Sequence, residues 1–195
     1  LDARALLARV YVAENKPESA AEQLYYVVDQ RPEERIALAK VLAHLKRDDE
    51  AEKQVTEAIS HFSGVVNESP EDVPARLIWA QAHRFLKQYS VAAAILTNGM
   101  QKVGSDEFRQ ELAKVYVAWS DSIGKEDPGR KLELLQAAMT YNPADLAVLQ
   151  RLAPYAIGET PEADKVRSEL NKVLAQGEAQ PAVHLIIGTL EIQKK

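Results

Sequence analysis

LDARALLARVYVAENKPESAAEQLYYVVDQRPEE, residues 1–34, decides the fold. Leu7, Ala8 and Tyr11 lie within one helical turn of each other, and Ala20, Leu24 and Val27 repeat that spacing after a break. Such 3–4 spacing marks helices with one buried face. Pro32 then closes the segment. The stretch therefore predicts a hairpin of two helices, and the small residues Ala8 and Ala20 permit the closest approach. Helix axes that pack at roughly 8–10 Å need small side chains at the crossing.

The same pattern returns along the chain. A large apolar residue followed by a small one occurs as Leu7-Ala8, Leu38-Ala39, Trp79-Ala80, Leu112-Ala113, Leu152-Ala153 and Ile187-Gly188. The small members are 31, 41, 33, 40 and 35 residues apart, a range that indicates stacked two-helix units. Second helices follow: Ala51, Val55 and Ala58, then Ala92, Leu96 and Gly99, then Leu135 and Ala138 ahead of Pro143. On these residues the chain resembles the tetratricopeptide repeat family, with Val27 departing where that family usually carries alanine. The resemblance implies an all-α fold, a right-handed superhelix (an α-α solenoid) of helix–turn–helix hairpins. It divides residues 1–195 into one array with units at about 1–31, 32–72, 73–105, 106–145 and 146–180, and a final helix at 181–195.

Departures from regularity carry expectations of their own. The second unit's second helix is expected to run past Gly64 to Val66, before a loop over Asn67–Asp72. The residues around Ser120–Asp127 lengthen the fourth unit in its first helix or its turn. Pro154 falls inside a predicted helix, where it removes a hydrogen bond and clashes with the preceding turn, so that helix is expected to end or kink. Ser69-Pro70, Asp127-Pro128, Asn142-Pro143 and Thr160-Pro161 each read as an N-cap followed by a first-turn proline. Gly104, Gly158 and Gly177 read as helix ends.

Composition narrows the function classes. The chain is 46% hydrophobic and 27% charged, enough for a continuous core and unlike a disordered chain. A net charge of −5 gives no electrostatic reason to expect nucleic acid as a partner. The absence of cysteine excludes thiol catalysis and cysteine-ligated zinc. No apolar stretch is long enough for a membrane span, and no targeting segment is visible, so the compartment is left open. Ser122-x-x-Lys125 matches a nucleophile pattern without its companion motifs. His44, His61, His83 and His184 lack metal-ligand spacing, and His83 reads as a packed residue at the aromatic position of its helix. Asn67-Glu68-Ser69 is a formal glycosylation sequon followed by Pro70. No enzyme, metal or cofactor is expected.

The resemblance also implies where a partner would bind, because the family's concave surface is lined by the first helix of each unit. Two residues beyond aligned position 7 stand Arg9, Lys40, Gln81, Lys114 and Pro154, with His44, Arg84 and Phe85 nearby. Three of those five are basic in an acidic chain, which suits an acidic segment of another protein. The asparagine by which one branch of the family clamps chaperone C-termini is missing from all of these positions. The expected function is a protein–protein interaction scaffold, a fragment of a longer repeat protein. The alternative is a targeting or regulatory arm of a parent enzyme or signalling protein. Partner identity and oligomeric state are not legible.

Overall fold

The structure, a computed structural model, describes residues 1–175, and among them it is all-helical with no strand. The helices are α1 (Asp2–Ala13), α2 (Pro17–Tyr25), α3 (Arg35–His44), α4 (Asp48–Glu68), α5 (Val73–Phe85), α6 (Tyr89–Val103), α7 (Asp106–Ser122), α8 (Pro128–Tyr141), α9 (Leu146–Leu152) and α10 (Pro161–Ala175). Short 3₁₀ turns cover Pro32–Glu34 and Ala153–Ala156. Helices α1–α2, α3–α4, α5–α6 and α7–α8 pack in pairs as hairpins, and α10 packs on the 3₁₀ turn that follows α9. The expected final helix and Gly177 lie outside the described residues.

The helices gather into two compact units, one of residues 1–105 holding α1–α6 and one beginning at Asp106. In the first, α2 packs on both α1 and α3, and α4 on both α3 and α5, so these two second helices each serve two hairpins. Its core joins the small residues Ala8, Ala20, Ala39, Ala51 and Ala58 to Leu24, Leu38, Leu42 and Val55, all at most 1% exposed. Burying one such leucine or valine contributes about 1.5–3 kcal/mol. In the second unit α7 packs on α8 and α8 on α9, around Ala113, Leu135, Ala138, Leu149 and Leu152. Leu7 departs from the expected core: it is 38% exposed, whereas Leu38, in the same register on a helix covered by α2, is fully buried.

Three hairpins of the first unit turn in the same way. Asn15, Lys46 and Lys87, spaced 31 and 41 apart like the alanines, adopt φ of 56°, 62° and 59°. In each, the next amide closes a six-residue ring: Lys16 N to Tyr11 O, Arg47 N to Leu42 O and Gln88 N to His83 O, at 2.8–2.9 Å. These are Schellman caps, which satisfy the last carbonyls of the first helix and favour glycine at the left-handed position. Lysine there is strained by roughly 1–2 kcal/mol, and glycine costs roughly 0.5–1 kcal/mol in chain entropy. Lys46→Gly and Lys87→Gly are therefore expected to raise stability by about 0.5–1 kcal/mol each. A lower thermal midpoint for both variants would contradict the strain.

The prolines divide into two kinds. Pro128 and Pro161 open helices as expected, with Asp127 Oδ1 accepting from Arg130 N at 2.9 Å and Thr160 Oγ1 from Ala163 N at 3.2 Å. Ser69-Pro70 and Asn142-Pro143 do not cap helices. Each instead begins a four-residue turn, closed by Asp72 N to Ser69 O at 3.0 Å and by Asp145 N to Asn142 O at 3.2 Å. The caps are the aspartates that end those turns: Asp72 accepts from Ala75 N at 2.8 Å, and Asp145 from Ala147 N at 2.8 Å. Proline suits the second turn position as well as the first helical one, and a carboxylate three residues on takes the cap. Helix α4 also runs two residues beyond Val66, to Glu68. The fourth unit is lengthened in both ways, with α7 reaching Ser122 and a loop preceding α8. As Pro154 requires, α9 stops at Leu152 and passes into the 3₁₀ turn. Gly104 (φ 69°) ends α6, and Gly158 (φ 100°) follows that turn.

Candidate peptide groove

Helices α1 and α3 stand on either side of α2, and their facing walls leave a slot in the first unit. Two adjoining cavities, of about 220 and 260 Å³, share Val12, Lys40 and Val41 as walls. Ala8, Leu24 and Ala37 complete the floor of the smaller, with Arg9 and Glu34 beside them. Asn15, Pro17 and His44 complete the larger. The slot is thus apolar inside and carries Arg9, Lys40 and His44 on its walls and rim. Its shape follows from the sequence: Ala8 and Ala37 stand where larger residues would close it.

The structure brings Arg9, Lys40 and His44 together, three of the seven expected site residues. Gln81, Arg84 and Phe85 lie on α5 and line neither cavity; Phe85 packs against the first unit's core. Lys114 belongs to α7 in the second unit, and Pro154 to the 3₁₀ turn that follows α9. His83 packs 6.1 Å from Trp79 and shares a 2.6 Å hydrogen bond with Gln88, in keeping with a packed histidine.

Two of the basic residues are committed to buried carboxylates. Arg9 Nη2 donates to Glu34 Oε1 at 3.0 Å, and Lys114 Nζ to Glu111 Oε2 at 3.4 Å. Both glutamates are buried. Arg9 and Lys114 are therefore parts of ion pairs, and the expected cationic row carries less net charge than its residue types suggest. Glu34 was the residue that sequence reasoning missed. A faint signal existed: it stands five residues before Ala39, where the first and third units have Ala3 and Ala75 five residues before Ala8 and Ala80.

A separate charged cluster ties α2 to the second hairpin. Arg47 Nε and Nη2 each donate to Glu50 at 2.6 Å, and Tyr25 Oη donates to Glu50 at 2.7 Å. The Arg47 hydrogen bonds, followed by that of Tyr25, hold the Glu50 carboxyl at about 2, well below the ordinary range. In the second unit Tyr116 stacks between Trp119 and Tyr141, with centroids 6.3 and 5.7 Å away, and Arg130 lies over Trp119 at 5.5 Å. Burial pushes the Tyr116 phenol up. Among the described residues no group of three or more histidines or carboxylates could hold a metal ion, and no helix is long and apolar enough to cross a membrane.

Comparison with known proteins adds little beyond the fold. No protein-family model matches the chain, and no curated protein sequence does either. Among solved structures it is similar to MamA 41-end from Desulfovibrio magneticus RS-1, with 17% identity, 92% of this chain and 96% of that chain covered, and a TM-score of 0.47. A MamA RS-1 ArsTM double mutant gives 17% identity, 89% and 92% coverage, and a TM-score of 0.47. At this distance neither neighbour bears on what the chain binds.

Proposed function

We propose that this chain is a protein-interaction scaffold whose α1–α3 groove takes a segment of another protein. One large apolar side chain of that segment enters the slot, and neighbouring aspartates or glutamates face Lys40, His44 and the exposed side of Arg9. The observation that carries the reading is the apolar slot with Arg9, Lys40 and His44 on its walls and rim. Helices on both walls hold the contact residues in place, so little ordering is left for binding to impose.

The test uses a labelled peptide of aspartates and glutamates around one leucine, with two controls, alanine replacing the leucine and lysines replacing the acids. The leucine peptide is expected to bind, and to weaken as salt rises toward and beyond about 0.1 M, where the screening length is near 10 Å. Lys40→Glu is expected to weaken it at least tenfold, measured at a temperature where the circular dichroism spectrum of the variant matches that of the parent. Arg9 and Lys114 are unsuited to this test, because reversing either sets a second negative charge against a buried carboxylate. Equal affinity for the alanine peptide, or for Lys40→Glu, would refute the groove.

A further inference from the structure

We infer, resting on the groove proposed above, that the side chain which fills the slot is an aromatic one with its own hydrogen-bond donor. That side chain is tyrosine or tryptophan, and Glu34 accepts from its O–H or N–H.

Glu34 sits at the end of the 3₁₀ turn that leads into α3, and it is only 4% exposed. It lines the smaller cavity of the slot together with Ala8, Leu24, Ala37 and Val41. The corresponding residue of the third hairpin is Ala75, five residues ahead of Ala80, and it too is buried. Packing at this register is therefore met by a methyl group. A buried carboxylate in its place costs desolvation and calls for hydrogen-bond donors.

The donors present reach one oxygen of the two. Arg9 Nη2 donates to Glu34 Oε1 at 3.0 Å, and Arg31 Nη2 stands 3.9 Å from the same atom. Oε2 takes no hydrogen bond among the described residues. Arg9 is itself a slot residue, so the carboxylate that it holds stands at the edge of the cavity. An ionised carboxylate accepts through both oxygens, and the second is left to whatever enters the slot.

The other walls fix the chemistry of that donor. Ala8, Leu24, Ala37 and Val41 suit a large apolar body. Serine and threonine carry the donor without the body. Lysine and arginine would bring a further cation to a carboxylate that already has Arg9 and Arg31 beside it, with Lys40 in the same cavity. Tyrosine and tryptophan join a large apolar ring to one neutral donor at its tip. A site with such an acceptor also discriminates, because a ligand lacking the donor leaves the buried oxygen unpaired.

The experiment uses labelled acidic peptides that differ only in the anchoring residue. Two matched pairs isolate the donor, tyrosine against phenylalanine and tryptophan against 1-methyltryptophan, and a lysine peptide tests for a cation. With the parent chain, the donor-bearing member of at least one pair is expected to bind about tenfold or more tightly than its match, as suits a hydrogen bond to a charged group. In Glu34→Ala that ratio is expected to fall below about threefold. The ratio is taken within one variant, so a general loss of affinity cancels. Glu34→Gln keeps the shape with a weaker acceptor; its ratio should lie between the two, and it replaces the alanine variant if that one does not fold. Ratios near one in both pairs, a ratio undiminished by the folded variant, or tightest binding of the lysine peptide would each overturn the inference and leave the groove standing. Failure of every peptide to bind, the leucine one included, would refute the groove itself and the inference with it.

Discussion

Ala39→Leu and Ala113→Leu are each expected to lower the urea midpoint by an amount equivalent to about 1–3 kcal/mol. Both alanines are fully buried, Ala39 in the core shared by α3 and α4 and Ala113 in that shared by α7 and α8. Three added carbons have no space at a helix crossing set by small residues. The helices must part, or neighbours such as Leu42 and Leu135 must leave their rotamers. Gln101→Leu, at an exposed position on α6, serves as control and should stay within about 0.5 kcal/mol. Equal midpoints for all three variants would mean that the alanines do not govern the approach of the helices.

Removal of a buried cation should cost a similar amount. Arg76 on α5 is only 3% exposed, and its partners among the described residues are neutral oxygens. Nη2 donates to Pro70 O at 2.8 Å, and Nη1 to Asn98 Oδ1 at 3.2 Å and Ile95 O at 3.4 Å, while Nε has no partner. Burial pushes the guanidinium below the ordinary arginine range. The side chain nevertheless ties the Ser69–Asp72 turn to α6. Arg76→Ala is expected to destabilise by about 1.5–3 kcal/mol, the range for hydrogen bonds to a charged group, and to speed hydrogen exchange in that turn. Arg76→Met should cost less, because it fills the space without desolvating a charge. An alanine variant as stable as the parent would show that these bonds contribute nothing net.

Much of this architecture was legible from residues close together in the chain. The hairpins followed from apolar spacing and from recurrent alanines, and the end of α9 followed from Pro154. The turn-forming prolines were misread because Ser-Pro and Asn-Pro suit a turn as well as a cap. The choice belonged to Asp72 and Asp145, three residues on, whose carboxylates accept the first amides of α5 and α9. The left-handed lysines were not legible either, since only the shared hairpin geometry places Lys46 and Lys87 at a position that glycine would favour.

For the candidate site the division is sharper. Sequence alone determined that Arg9, Lys40 and His44 share the first-helix faces of consecutive hairpins, because a helix sets the direction of its side chains within a few residues. It could not show that Arg9 is paired with a carboxylate 25 residues away, or that Ala8, Val12, Ala37 and Val41 enclose a slot. Those features depend on how far apart α2 holds α1 and α3, a distance set by the packing of all three helices together. Tertiary structure therefore decided that Arg9 is tied to a buried carboxylate and that Lys40 and His44 stand at the slot.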